Sequence, residues 1–305
     1  MKHKGLKIVF SSVMTPEIVK DIESLTLRCQ TTQEIAFKFE LEYKLLDAAN
    51  KESSQSSIRN NEFLAYSGVE LIAYAGICQF SSFQMEVSGM VDPRYRHQGC
   101  FTKLMDFIFE EAKIRNTQLL VLCDSRSEEA IQWISHRHFR LDHIEYEMQL
   151  PLNEITNHIP ISTELVEATN DDIPVIRELN NEFHFGEELN IVPEEESKRG
   201  IQIYLGKYQG EIVSKIHVSR QEEKAWIYGF IVRPSSRGLG LGKQVLIQTL
   251  DLYSSLGVKT MYLQVDSDNP TAKNLYERVG FRPIYSMEYY QWVKDEHMEE
   301  GVTID

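Results

Sequence analysis

Three glycines stand between two cations in Arg237-Gly238-Leu239-Gly240-Leu241-Gly242-Lys243. Glycine lets backbone approach a ligand closely. A turn that opens a helix presents N–H groups with no intrahelical acceptor, together with the positive end of the helix dipole. Such a turn suits a diphosphate, and Arg237 and Lys243 add positive charge. Spacing excludes two common nucleotide loops. The Walker pattern needs Gly-x-x-x-x-Gly-Lys-Ser/Thr, whereas Arg237 stands five residues before Gly242 and Gln244 follows Lys243. The dinucleotide pattern Gly-x-Gly-x-x-Gly is not formed by Gly238, Gly240 and Gly242, and no acidic residue follows a short strand at the required distance.

Other reactive side chains are dispersed. Cys29, Cys78, Cys100 and Cys123 all lie in the first half without a C-x-x-C pair, which argues against a disulfide framework or a zinc ribbon and fits a reducing cytoplasm. The second half has no thiol to carry an acyl group. His136, His138 and His143 lack a Cys or acidic partner at ligand spacing and read as solvated or capping groups rather than metal ligands. Glu182, His184, Glu187, Glu188 and His217 can accept a proton, yet each alone is explained as a surface carboxylate or a satisfied histidine.

These groups sit on a chain of 305 residues, long enough for two domains, with 42% hydrophobic and 26% charged residues, as in ordinary globular proteins. Lys+Arg 32 against Asp+Glu 46 gives −14. That field repels nucleic acid and favours a cationic partner. The start of the chain lacks the apolar core of a secretory signal, and the longest apolar run, 71–78, is far below the ~20 residues that span a bilayer. A cytoplasmic protein without a membrane partner is expected.

The glycine turn has a second, eroded copy. Val91-Asp92-Pro93-Arg94-Tyr95-Arg96-His97-Gln98-Gly99 and Val232-Arg233-Pro234-Ser235-Ser236-Arg237-Gly238-Leu239-Gly240 share Val-x-Pro-x-x-Arg-x-x-Gly at an offset of 232 − 91 = 141 residues. Each copy follows a strand-like run, 83–91 or 225–232, and precedes an amphipathic helix whose expected buried face is Phe101, Leu104, Met105, Ile108 and Ala112, or Leu241, Val245, Thr249, Leu252 and Leu256. Strands 118–123 and 259–266 come next, and the helix after the second has Asn269 as cap, Pro270 at its first position and Gly280 past its end. Two earlier strands in each half, 62–66 with 69–80 and 201–208 with 211–219, complete the pattern. The expected organisation is a domain at 1–150, a linker at 151–162 and a domain at 163–305, with Asn170 or Asp171 capping the first helix of the second half.

Arg-x-x-Gly-x-Gly after a strand ending Val-x-Pro resembles the acetyl-CoA turn of the GNAT N-acetyltransferase family. The second signature of that family is similar to Leu263-Gln264-Val265-Asp266 followed by Asn269, Ala272, Tyr276 and Gly280-Phe281, so the likeness covers 164–293. Two such halves resemble the tandem arrangement of which mycothiol synthase is an example. The resemblance implies an α/β (α+β) fold of two tandem GNAT-like domains, each a mixed, mostly antiparallel sheet flanked by helices. It implies acetyl-CoA as co-substrate, with its diphosphate on the N–H groups of Arg237, Gly238, Leu239, Gly240, Leu241, Gly242 and Lys243. The pantetheine arm would lie along Phe230, Ile231 and Val232, with Asn269 beside it, and the Tyr276 hydroxyl would protonate the departing thiolate. The expected reaction is acetyl transfer to a primary amine by direct attack in a ternary complex, and the alternative is a non-catalytic acyl-CoA-binding protein. Acidity favours a cationic acceptor. Aligning Ala130 with Ala272 puts Ile134 where Tyr276 stands, Ser127 opposite Asn269 and Phe101 opposite Gly242, so the first domain is expected to be degenerate and catalytically silent. The terminal strand 284–293 leaves pairing with a second copy open.

Overall fold

The computed structural model describes residues 6–51, 59–154, 159–182 and 191–293. The chain divides into two compact units, Met1–His143 with Met287–Asp305 (unit 1) and Ile144–Ser286 (unit 2). Unit 1 contains β1 (Leu6–Ser11), α1 (Pro16–Gln30), α2 (Leu41–Lys51), β2 (Glu62–Ser67), β3 (Glu70–Cys78), β4 (Gln84–Val91), α3 (Cys100–Arg115), β5 (Gln118–Asp124), α4 (Glu128–Ser135) and the first residues of β6 (Phe139–Pro151). Unit 2 takes the rest of β6, then β7 (Thr163–Glu167), α5 (Ile173–Asn181), α6 (Pro193–Lys198), β8 (Ile201–Tyr208), β9 (Glu211–Gln221), β10 (Lys224–Val232), α7 (Leu241–Ser255), β11 (Thr260–Asp266), α8 (Pro270–Val279) and the start of β12 (Arg282–Trp292).

In unit 1 the strands run β1-β2-β3-β4-β5-β12, antiparallel except for the parallel pair β4–β5. α3 buries Cys100, Leu104, Met105, Ile108 and Ala112 with Ile72, Val87 and Val121, while α1 buries Ile22, Leu25 and Cys29 with Leu64 and Tyr74. Unit 2 repeats the plan in the order β6-β11-β10-β9-β8-β7, its parallel pair being β10–β11. α7 covers one face through Val245, Leu246, Leu250 and Tyr253 packed with Ile216, Val218 and Ile227. Ile176 of α5 packs with Ile203 and Leu205. Each sheet is therefore mixed and mostly antiparallel with helices against it, as the family resemblance implies. The buried stripe of α7 runs through 241, 245–247, 249–250 and 253; Leu256, expected on it, is the exposed C-cap.

The unit boundaries fall away from the expected 151–162. Glu145–Pro151 pairs antiparallel with β11, from Glu145 opposite Asp266 to Pro151 opposite Thr260. Met287–Gln291 pairs with β5, from Met287 opposite Asp124 to Gln291 opposite Leu120. The last strand of each sequence half thus completes the sheet of the other unit. Local pattern cannot reveal this, because both strands carry the same alternation and only the choice of partner differs. Residues 155–158 of the expected linker lie outside the described residues. The start of unit 2 also differs: Thr169 and Asp172 form a reciprocal capping box around a 3-10 turn, and α5 begins at Ile173. Gln209 and Gly210 both have positive φ, which closes the β8–β9 hairpin with a two-residue turn.

Candidate active site

In unit 2 the parallel ladder holds β10 to β11 only from Lys224 and Thr260 to Ile227 and Leu263, although the strands continue to Val232 and Asp266. They separate beyond that point. On its other side β10 shifts register between Tyr228 and Ile231, three steps against two from His217 to Lys215 on β9. Gly229, with φ +55°, lies in this bulge. The Arg233 N–H donates to the Val213 carbonyl at 2.8 Å. Strand alternation then turns the Val232 N–H the other way, toward the gap beside β11. Inside the bulge the Gly229 carbonyl accepts from Lys215 Nζ at 3.3 Å, so the Phe230 N–H of the same trans peptide points away from Lys215.

The turn that follows begins with a 3-10 turn at Pro234–Ser236, and Arg237 is extended with its Nε donating to the Val232 carbonyl at 3.1 Å. Gly238 and Gly240 have φ of +77° and +76°, and a Cβ on either would meet nothing within 4 Å, so the backbone there faces open space. Gly240 caps α7, and the first internal N–H bond runs from Gln244 to its carbonyl. The N–H groups of Leu241, Gly242 and Lys243 precede that bond. Gly242 differs from both, because a Cβ there would sit 3.0 Å from Val232 Cγ2 and 3.7 Å from the Phe230 ring, so its missing side chain admits the strand to the helix while its N–H stays among the leading groups of α7. Arg233 tethers this end of β10 to α5, its Nη1 lying 2.6 Å from Glu178 and 2.9 Å from Glu182.

Asn269 caps α8, its Oδ1 accepting from the Ala272 N–H at 3.0 Å, which leaves its amide nitrogen as a donor for a ligand. Tyr276 is buried on α8, edge-on to Phe281. Burial pushes its phenol up to about 12, which keeps the proton on it at neutral pH. Among the base candidates, His184, Glu187 and Glu188 lie outside the described residues. Glu182 Oε1 is held by Arg233, while its Oε2 is buried without a hydrogen-bond partner among the described residues. His217 is buried on β9 with its Nε2 3.1 Å from Lys215 Nζ. Lys215 and the bulge escaped the sequence reading. Gly229 inside a strand pattern was the available signal, since an isolated strand glycine marks a bulge or a close backbone approach.

Unit 1 repeats the turn with other side chains. Asp92, Arg96 and Gly99 have φ/ψ of −49/128°, −63/160° and 77/8°, against −49/131°, −74/159° and 76/3° for Arg233, Arg237 and Gly240. Phe101 turns inward over Gly89, where a Cβ would lie 2.4 Å from the Phe101 ring. It therefore leaves the outer side of the turn clear. Arg96 is paired with Glu129 at 2.8 Å, and Ile134 is buried. β3 and β4 pair without a bulge. A cavity of about 420 Å³ lies here, lined by Arg96, Gly99, Phe101, Val121 and Trp133 among others.

Residues 170–281 match the acetyltransferase (GNAT) family. A mycothiol acetyltransferase of Streptomyces avermitilis is 37% identical over 82 residues, a stretch that covers 26% of this chain and 26% of that protein. The chain thus matches about a quarter of the length of that relative. A [ribosomal protein bS18]-alanine N-acetyltransferase of Haemophilus ducreyi is 27% identical over 82 residues, 27% of this chain and 57% of that one. Among solved structures, a GCN5-related N-acetyltransferase from Sphaerobacter thermophilus superposes with a TM-score of 0.71 at 19% identity over 93% of this chain and 95% of its own. A tandem GNAT protein from the clavulanic acid biosynthesis pathway gives 0.68 at 13% identity over 94% and 98%. The family match thus lies on the glycine turn, the splayed strands and α8 of unit 2, so residues 170–281 are similar to the GNAT family, and the chain, with its plan repeated in both units, shares the fold of solved tandem GNAT structures.

Proposed function

We propose that unit 2 transfers an acetyl group from acetyl-CoA to a primary amine. The observation that carries this reading is the opening of β10 from β11 beside Phe230 and Val232, followed directly by open space over Gly238 and Gly240 and the leading N–H groups of α7. Tyr276, buried on the neighbouring α8, is the phenol the family pattern supplies. These features fit acetyl-CoA. The turn 237–243 would hold its diphosphate, with Arg237 and Lys243 offsetting charge in an acidic chain. Val232 and Phe230 N–H groups would bind the extended arm as an added strand, and Phe230 N–H is the donor aimed at negative charge on the acyl oxygen. Acetyl-CoA supplies a thioester-activated acyl group with a thiolate leaving group. Tyr276 is the proton source for that thiolate.

No cysteine occurs after Cys123, so direct attack by the amine in a ternary complex is the proposed order of events. The net charge of −14 supports a cationic acceptor. Unit 1, with Ile134 in place of the tyrosine and no bulge, is proposed to be catalytically silent. The test is thiol release from acetyl-CoA across a panel of primary amines. Acceptor-dependent release that falls at least tenfold in Tyr276→Phe supports the reading. Acetyl-CoA binding without release by any amine supports the binding-protein alternative instead.

A further inference from the structure

Lys215 is 1% exposed and has no carboxylate within salt-bridge distance among the described residues. Its Nζ lies 3.1 Å from His217 Nε2 and donates to the Gly229 carbonyl at 3.3 Å. Burying an ammonium group is costly unless its donors are used. Unit 1 shows how this fold otherwise treats a buried lysine: Lys44 Nζ lies 3.0 Å from Glu62 and 3.2 Å from the Tyr74 hydroxyl, a closed and neutralised network. At the 141-residue offset Tyr74 corresponds to Lys215 and Gly76 to His217. The place filled by that network in unit 1 is held in unit 2 by a cation aimed at backbone, and only unit 2 has the bulge.

The Gly229 carbonyl and the Phe230 N–H belong to one peptide group. In a trans peptide they point in opposite directions, so a donor fixed on the oxygen orients the N–H toward the strand gap. A cation on the oxygen also withdraws electron density and makes the N–H a stronger donor. We propose that Lys215, held by His217, is a positioning residue that orients and polarises the Gly229–Phe230 peptide as the acyl-oxygen donor of unit 2.

The surroundings agree. Directly opposite His217 and Lys215 on β8 stand Ile203 and Leu205, both apolar and buried with Ile176 of α5. Opposite His217 on β10, the Tyr228 ring lies edge-on with centroids 5.5 Å apart. Burial, reinforced by Lys215, pushes the imidazole down to about 3, so His217 stays neutral and its Nε2 can accept from the ammonium. The φ of +55° favours glycine at 229, and a Cβ there would stand in contact with both Lys215 Nζ and His217 Cγ at 3.4 Å.

This inference rests on the acetyl-transfer reading, so its test has one arm that needs no turnover. In protein labelled with 15N-phenylalanine, the Phe230 amide resonance, assigned through Phe230→Tyr, should move upfield in Lys215→Met while Phe281 stays in place. In turnover, Lys215→Met should lower kcat by about 10- to 100-fold with unchanged acetyl-CoA affinity and an unchanged or higher Tm. His217→Gln keeps an acceptor for the ammonium and should retain more activity than His217→Leu. An unmoved Phe230 amide overturns the proposal, and so does a normal kcat or a kcat loss that only tracks a lowered Tm. If no amine is acetylated while the Phe230 amide moves, the acetyl-transfer reading fails and the brace on the peptide stands.

Discussion

The two turns have nearly one backbone and quite different side chains. Unit 2 places its aromatic on the strand, at Phe230, and its glycine on the helix, at Gly242; unit 1 places the glycine on the strand, at Gly89, and the aromatic on the helix, at Phe101. The same space between strand and helix is filled from opposite sides. The tether to the first helix of the unit is exchanged in the same way. Asp92 lies 2.7 Å from Arg28 of α1 in unit 1, whereas Arg233 reaches Glu178 of α5 in unit 2. Packing and tethering were thus kept in both units. What differs is the set of groups proposed to do the chemistry: the bulge, Lys215 with His217, and Tyr276 occur in unit 2, while Ile134 and the Lys44–Glu62–Tyr74 network stand at the corresponding places of unit 1.

The largest effect that would sharpen this contrast comes from removing 287–305. Unit 1 then loses Met287–Gln291 from β5, and its cluster loses Tyr290 and Trp292. Amide exchange in 118–124 should rise to the rate of unfolded chain while 260–266, paired with β6, stays protected. Equal loss in both segments would break the division into units. Next is Tyr276→Phe, with kcat expected to fall about 100-fold or more at unchanged acetyl-CoA affinity. Ile134→Tyr should leave kcat at the wild-type value.

A smaller effect tests the exchanged aromatics. Gly242→Phe crowds Val232 and Phe230 and should cost about 1–3 kcal/mol in denaturant unfolding. The double variant Phe230→Gly with Gly242→Phe copies unit 1 and should recover much of that loss. The mildest prediction concerns Asp92. Hydrogen bonds from Arg94 and Arg28 hold its carboxyl well below the usual range. A carboxylate with a lowered native pKa contributes stability above its unfolded pKa of ~3.9, and that contribution fades as pH falls below it. Acid unfolding of unit 1, read from Trp133 and Trp292 in a Trp226→Phe background, should begin at higher pH in Asp92→Asn. An unshifted acid limb would show that the tether adds nothing.

Much of the scaffold was legible because its demands are local. The repeated Val-x-Pro-x-x-Arg-x-x-Gly string marked both turns, since positive φ at Gly99 and Gly240 needs glycine. Asn269, Pro270 and Gly280 bounded α8. The pairing of β6 with β11 and of Met287–Gln291 with β5 was not legible, because partner choice is a long-range matter that alternation leaves free. Nor was the role of Lys215: a lysine on an alternating strand reads as solvent-facing, and only the cover over both faces of β9 buries it. At Gly242 the absent side chain makes room for Val232 and Phe230, a packing demand that the ligand-binding pattern alone does not reveal.

The central claim, that unit 2 works through the turn 237–243, is tested most directly by calorimetric titration of acetyl-CoA into three proteins of matched thermal stability: wild type, Gly238→Val with Gly240→Val, and Arg96→Ala with Gly99→Val. The unit 2 variant should lose the acetyl-CoA site that supports acceptor-dependent thiol release, while the unit 1 variant keeps it. Undiminished binding and release in the unit 2 variant, with loss in the unit 1 variant, would contradict that claim and move the working site to unit 1.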